Sequence, residues 1–157
     1  MKYYSLNNKT IKVSFQEAVI QGLAPDKGLY FPETINQLPP SFFEEIENLS
    51  NEEIAFQAIQ QFVGDEIPEK ELKQIIAETL SFDFPLVQVE ENVYSLELFH
   101  GPTMAFKDVG ARFMSRCLAY FNKEKDQKNT VLVATSGDTG GAVASGFLGV
   151  KGVEVVI

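Results

Sequence analysis

The most constraining feature of this chain is a buried-strand pattern that occurs on both sides of a glycine-rich turn. The run TVLVAT (130–135) is apolar and β-branched, SGDTGG (136–141) follows it, and VEVVI (153–157) ends the sequence. Between the turn and the second strand, the small residues AVASGFLG (142–149) predict a helix. Two strands joined by a helix predict a βαβ unit, and therefore part of a parallel sheet with covered faces. A stable parallel sheet needs more strands than these residues supply, so we expect the sequence to stop inside a domain.

The residues before this unit predict helices. Ser-x-x-Glu spacings typical of a capping box begin at Ser14, Ser41 and Ser50. Gly22 and Gly64 stand where the left-handed residue that ends a helix belongs. Apolar residues between these signals recur at helical spacing, so we assign them to core packing.

A hairpin and a long helix follow. Alternating residues in LVQVE (86–90) and VYSLELF (93–99) predict two strands joined by a turn. From Phe106 onward a wide apolar stripe predicts a helix buried on most sides, with Cys117 in the core. The expected fold is α/β: a helical N-terminal domain with a small hairpin over 1–95, followed by the first βαβ part of an incomplete parallel-sheet domain over 96–157.

Composition restricts the partners of such a chain. A single cysteine permits no internal disulfide and favours a reducing, cytoplasmic location. Cys117 and His100 are the only soft ligands, so we expect no metal site. No apolar run approaches the ~20 residues of a membrane-spanning helix, and the first residues, MKYYSLNNKT, do not have the pattern of a secretory signal.

The net charge of −9 argues against nucleic acid and anionic membranes as partners. Its distribution is uneven, since residues 1–100 have a balance of −11 and residues 101–157 a balance of +2. The C-terminal part is therefore the one that does not repel an anionic ligand.

The SGDTGG turn is the first candidate site. Its glycines let the backbone approach a ligand, and free N–H groups of the following helix favour an anion. The spacing matches neither the Walker loop nor the dinucleotide fingerprint. An ordinary strand-to-helix turn, with Ser136 or Thr139 as a helix cap, explains the same residues equally well.

The second candidate is HGPTMAFKD (100–108), in which Lys107 is placed in the first turn of an apolar helix. Burial and the helix N-terminus both disfavour the charged ammonium, so this lysine is a candidate nucleophilic amine for carbonyl chemistry. The alternative is a solvated lysine paired with Asp108 or Glu97.

The two elements together resemble the threonine synthase family, within the tryptophan-synthase β-like class of pyridoxal-phosphate enzymes. The resemblance lies in ELFHGPTMAFKD (97–108), TSGDTGGA (135–142), the leader SFQEAVIQGLAPDKGLYFP (14–32) and VGDEIP (63–68). It covers essentially the whole chain. Members of the family are much longer, so it implies an N-terminal part of the enzyme.

The resemblance also implies roles for individual residues. Lys107 matches the lysine that carries pyridoxal phosphate and moves protons between carbons. Ser136, Gly137, Asp138 and Thr139 match the loop that receives the substrate α-carboxylate. Asp138 replaces the asparagine of related sulfhydrylases and is expected beside the cofactor's phenolic oxygen. Candidates for the substrate phosphate are Arg112 and His100.

The implied activity is the conversion of O-phospho-L-homoserine and water to L-threonine and phosphate, the last step of threonine biosynthesis. This chain alone is expected to be inactive, to bind the cofactor weakly and to self-associate. Two alternatives remain: another pyridoxal-phosphate enzyme of the class, such as a serine/threonine dehydratase or a sulfhydrylase, or a non-catalytic paralogue that binds a partner or a small anion.

Overall fold

The chain forms two compact units, Met1–Ala77 and Glu78–Ile157. They are seen in a computed structural model that describes residues 1–123 and 128–157. Both units mix helices with small sheets, which confirms the α/β class. The division between the units falls within the helix Glu69–Thr79, while the domain limits 1–95 and 96–157 stay a prediction.

The first unit consists of short strands and helices. In chain order they are β1 (Tyr3–Ser5), β2 (Lys12–Val13), α1 (Phe15–Gln21), β3 (Tyr30–Pro32), α2 (Pro40–Glu45), α3 (Asn51–Val63) and α4 (Glu69–Thr79). The strands form an antiparallel sheet in the order β2-β1-β3, which the sequence did not predict. Strands of two or three residues are too short to show an alternating pattern.

Two of the three predicted capping boxes are confirmed. Ser14 and Ser50 each cap a helix and exchange hydrogen bonds with the glutamate three residues later. The Ser41 prediction is wrong, because α2 begins at Pro40 and its N-cap, Pro39, makes no side-chain hydrogen bond. Proline suits the first helical position, so the helix starts one residue before Ser41 and encloses it in the first turn.

The core of the first unit lies between its sheet and its helices. The hydroxyl of Tyr3 donates to the Phe62 carbonyl oxygen at 2.7 Å. The carboxylate of Glu66 accepts from the N–H groups of Phe15 and Gln16 at 2.9 and 2.8 Å. Burial, and secondarily the charge of Glu66, raises the pKa of Tyr3 to about 12. Ten apolar side chains are buried here: Tyr3, Val13, Phe15, Ala24, Phe42, Val63, Ile67, Leu72, Ile75 and Ile76.

The second unit contains the predicted hairpin, long helix and βαβ unit. Its elements are β4 (Leu86–Glu90), β5 (Val93–Leu96), α5 (Lys107–Phe121), β6 (Asn129–Leu132), α6 (Asp138–Phe147) and β7 (Val153–Val156). The strands β4 and β5 are antiparallel, and the turn between them places Asn92 at φ 61°. The strands β6 and β7 are parallel, with Thr130 opposite Glu154. Each of these elements confirms the prediction.

Helices α5 and α6 pack closely through small residues. A Cβ on Gly146 would lie 3.1 Å from the backbone carbon of Ala111, so only glycine permits this approach without a shift. Cys117 is fully buried in this core, as predicted, and burial raises the pKa of its thiol to about 12. The contact between Gly146 and Ala111 holds the last turn of α6 against the first turns of α5.

The predicted two-sided burial of the parallel strands is not present. Leu132 is 76% exposed and Ile157 is 62% exposed. Half-buried and exposed residues alternate along β6 and β7, so among the described residues only one face of this sheet is covered. Within the described ranges, no helix is both long enough and apolar enough to cross a membrane.

Candidate active site

The two sequence motifs meet at one hydrogen bond. The Nζ atom of Lys107 donates to the Oγ1 atom of Thr139 at 2.8 Å. Lys107 is the first residue of α5, and Thr139 is the second residue of α6. Since the two helices are packed together, the amine reaches the glycine loop from the adjacent helix.

Lys107 has neither of the acidic partners that were considered for it. Asp108 is only 1% exposed, and its carboxylate accepts hydrogen bonds from Thr103. Glu97 pairs with His100, with 2.6 Å between Oε2 and Nε2. The predicted burial of Lys107 is also wrong, because its side chain is exposed in this chain. The amine is therefore accessible and is held by a neutral hydroxyl group.

The glycine loop is organised by Thr135, which precedes it. The Oγ1 atom of Thr135 accepts from the N–H groups of Gly137 and Gly140 at 3.1 and 3.0 Å. A Cβ on Gly140 would lie 2.4 Å from Cγ2 of Thr135, so glycine is required there. Gly137 has a φ of 153°, which a residue with a side chain rarely adopts. Thr135 thus performs the capping that was considered for Ser136 or Thr139.

This arrangement leaves a backbone anion site at the start of α6. The first N–H groups of a helix have no partner within it, and Thr135 satisfies the one from Gly140. The N–H groups of Asp138 and Thr139 remain available at the positive end of the helix dipole. Space is open beside them, because a Cβ on Gly137 would meet no atom within 4 Å.

Arg112 and His100, the two candidates for the substrate phosphate, both form contacts with other residues of the chain. The guanidinium of Arg112 donates to the carbonyl oxygens of Glu78 and Thr79, the latter at 3.3 Å, and to Oγ of Ser81 at 2.8 Å. Burial lowers the pKa of Arg112, as does the neighbouring charge of Arg116. Arg112 therefore stabilises the carbonyl end of α4, and His100 pairs with Glu97.

Asp108 is the residue whose importance the sequence analysis missed. The sequence suggested Asp108 only as a possible ion-pair partner of Lys107. In the structure its buried carboxylate accepts hydrogen bonds from Thr103, in the preceding turn. In sequence, an aspartate five residues after Gly-Pro-Thr resembles any acidic residue at the start of a helix, so no signal distinguished Asp108. Its burial shows that it has a structural part in the site.

Lys107 and the start of α6 are suited to bind a carbonyl compound that also has an anionic group. Lys107 supplies an accessible primary amine, and the start of α6 supplies backbone donors close to it. Ser136 and Asp138 are exposed along the same loop. Among the described residues, no group of histidine, cysteine and acidic side chains could hold a metal ion.

Comparisons with known proteins give the chain a family context. The family model described as "Threonine synthase N terminus" matches residues 2–80. The threonine synthase of Haemophilus influenzae is 44% identical over the whole chain, which covers 36% of that protein. The chain therefore spans about a third of the length of the curated relatives it matches.

Two solved structures have the same fold. The crystal structure of threonine synthase from Escherichia coli matches with a TM-score of 0.92 and 42% identity, covering 100% of this chain and 36% of that one. The structure described as PLP-bound threonine synthase from Brucella melitensis matches with a TM-score of 0.89 and 36% identity. It covers 99% of this chain and 34% of that one.

Proposed function

This chain belongs to the threonine synthase family, and we propose that the full-length protein converts O-phospho-L-homoserine and water to L-threonine and phosphate. In this reaction the bond between the γ-carbon and the phosphate oxygen breaks. A hydroxyl group from water is added at the β-carbon, and the γ-carbon becomes a methyl group. The protein is thus a lyase of amino-acid biosynthesis, located in the cytoplasm.

The observation that carries this proposal is the hydrogen bond between Lys107 and Thr139 at 2.8 Å. It joins a primary amine to a loop with open backbone donors, and these are the two groups that an amino-acid-processing carbonyl cofactor requires.

Lys107 is the residue that we assign to the cofactor. Its amine would hold pyridoxal phosphate covalently and, when released, accept and donate protons at the substrate carbons. When bound, the cofactor supplies the electron sink for the carbanions of the reaction. The side chain of Lys107 is exposed and its amine contacts a hydroxyl group, so the nitrogen is accessible to a carbonyl carbon, which fits this role.

The loop Ser136–Gly137–Asp138–Thr139 is assigned to the substrate α-carboxylate. The N–H groups of Asp138 and Thr139 would donate to the carboxylate oxygens at the positive end of α6. Gly137 permits the backbone conformation that directs them outward. Asp138 adds a negative charge at the same place, so we assign its side chain toward the cofactor rather than toward the carboxylate.

The chain alone is not expected to catalyse the reaction or to bind the cofactor strongly. It covers 36% of the length of its relatives, and its described residues offer no second glycine loop for the cofactor phosphate. Catalysis depends on placement, and a misplaced reactive group can cost about 100-fold in rate. The activity is therefore proposed for the full-length protein.

The test is an assay of the full-length protein with O-phospho-L-homoserine, in which L-threonine and phosphate are measured together. We expect equal amounts of both products, and loss of both in Lys107→Ala. Lys151→Ala is the matched control, because Lys151 is exposed in the same unit outside the two motifs. Release of a keto acid and ammonia from serine or threonine instead would indicate a dehydratase. No turnover of any of these substrates would indicate a binding paralogue.

A further inference from the structure

Asp108 makes an unusual pair of contacts for a residue in the first turn of a helix. Its side chain is 1% exposed. One carboxylate oxygen accepts the N–H of Thr103 at 2.9 Å, and the other accepts the hydroxyl of Thr103 at 2.7 Å. A carboxylate at this position commonly serves the helix N–H groups or the dipole. Here both oxygens bind the preceding turn.

The turn is shaped around that carboxylate. A Cβ on Gly101 would lie 2.5 Å from an Asp108 oxygen and 3.0 Å from its Cβ, so the backbone of Gly101 rests directly on the side chain. The N–H of Met104 donates to the Gly101 carbonyl oxygen at 3.0 Å, which closes the turn. Met104 is held at φ 55°, a conformation that a residue with a side chain rarely adopts. Such a turn persists only when its surroundings hold it.

Lys107 and Asp108 are adjacent in sequence, but their side chains point in different directions. Successive residues of an α-helix differ in direction by about 100°. The side chain of Asp108 is buried against the turn, whereas that of Lys107 is exposed and reaches Thr139 on α6. Fixing Asp108 in the turn therefore fixes the rotation of the first turn of α5, and with it the direction of Lys107.

We propose that Asp108 is a positioning residue for the amine of Lys107. Its carboxylate binds Thr103, holds the turn 101–106 against the start of α5, and so directs Nζ of Lys107 to Thr139. The inference rests on the proposed function of Lys107 as the cofactor-carrying residue. It adds a second residue to the site, one that acts without touching substrate or cofactor.

The substitutions that test this role come as two matched pairs. Asp108→Asn keeps both contacts, since its amide oxygen accepts from the N–H of Thr103 and its NH₂ donates to the hydroxyl, while Asp108→Ala removes them. Thr103→Ser keeps the hydroxyl contact, while Thr103→Val removes it with nearly the same volume. Thr103 is only half-buried, so its variants are expected to fold.

The measurement is the rate at which the full-length apo-protein forms an adduct with pyridoxal phosphate. Its aldehyde carbon forms a C=N bond with the lysine nitrogen and loses its oxygen as water. Borohydride then adds hydride to that carbon and leaves a stable secondary amine. We expect Asp108→Ala and Thr103→Val to slow the reaction by up to about 100-fold, and the two conservative variants to react at close to the rate of the unchanged protein.

Equal rates in all four variants would overturn the positioning role, and so would equal slowing in all four, because the conservative pair retains the contacts. If Asp108→Ala does not fold, the Thr103 pair decides alone. Lys107→Ala separates this inference from the proposed function. An adduct that forms at an unchanged rate without Lys107 contradicts the proposed function, whereas an adduct that needs Lys107 but ignores Asp108 and Thr103 contradicts only the positioning role.

Discussion

The amine of Lys107 lies 2.8 Å from the hydroxyl oxygen of Thr139, a residue 32 positions later in the chain. This contact depends on the close packing of α5 and α6, which the absence of a side chain at Gly146 permits. An exposed amine and a loop of backbone donors are thereby held by two packed helices. Rigid elements of this kind place reacting groups more precisely than loops do.

The first prediction concerns the backbone of the glycine loop. Gly137→Val introduces a side chain at φ 153°, where it is strained even though the space is open. We expect the KM for O-phospho-L-homoserine to rise sharply in the full-length protein, while the cofactor stays bound. Gly141→Ala is the control, since its Cβ would meet only Thr103 Cβ at 4.0 Å. Loss of the cofactor with an unchanged KM would instead assign the loop to the cofactor phosphate.

The second prediction concerns the close approach of Gly101 to Asp108. Gly101→Ala places a Cβ 2.5 Å from the carboxylate, and such overpacking destabilises a fold by about 1–3 kcal/mol. Gly110→Ala is the matched control on exposed helix surface, where no atom lies within 4 Å and alanine stabilises a helix by about 0.5–1 kcal/mol. Urea unfolding of both variants measures the difference. Equal free energies of unfolding would contradict the packing described for this turn.

The third prediction concerns acid and the two capping boxes. The backbone N–H of Ser14 lowers the pKa of Glu17, and that of Ser50 lowers the pKa of Glu53, both below the ordinary value of 4.5. A carboxyl group whose pKa is lowered by folding stabilises the folded state above pH 4.5. This stabilisation is lost as the pH falls through the lowered pKa. The helical signal of the protein is therefore expected to fall with acid in that range.

Circular dichroism across an acid titration checks this prediction. The double variant Glu17→Gln, Glu53→Gln should show a weaker acid dependence, since glutamine keeps the capping hydrogen bond but does not titrate. Glu44→Gln is the control, because the Ser41 box has the same spacing and does not form. An identical acid dependence of all three proteins would show that the capping carboxylates do not contribute.

The fourth prediction concerns the parallel strands of this chain expressed alone. Among the described residues β7 pairs only with β6, and Val156 and Ile157 are 49% and 62% exposed. Unpaired strand edges with apolar side chains associate with other chains. Sedimentation should therefore show a mass that rises with concentration, and Val156→Lys should reduce the effect. A strictly monomeric chain at high concentration would contradict this account.

The sequence predicted those features of the fold that have a long or local pattern. The βαβ unit, the hairpin and the caps at Ser14 and Ser50 all follow from periodicity or from a spacing of a few residues. The sheet of β1 to β3 was missed, because its short strands pair over long distances in the chain. The Ser41 box failed because proline determined where the helix begins.

The site was predictable only in part, for a similar reason. Lys107 and the loop 136–139 could be singled out by residue type, but their contact depends on helix packing that no local pattern records. The engagement of Arg112 with the end of α4, and of Asp108 with Thr103, likewise depends on tertiary structure. The sequence indicated candidate groups by residue type, and the fold determined which of them are exposed and which are held by other residues.

Lys107 is the lysine that we assign to pyridoxal phosphate. The most direct test is to reduce the full-length holoenzyme with borohydride, digest it, and locate the pyridoxyl group by mass spectrometry. We predict a single modified peptide with the group on Lys107, and no modified peptide from Lys107→Ala treated in the same way. A pyridoxyl group on any other lysine, or an undiminished yield in Lys107→Ala, would contradict the claim.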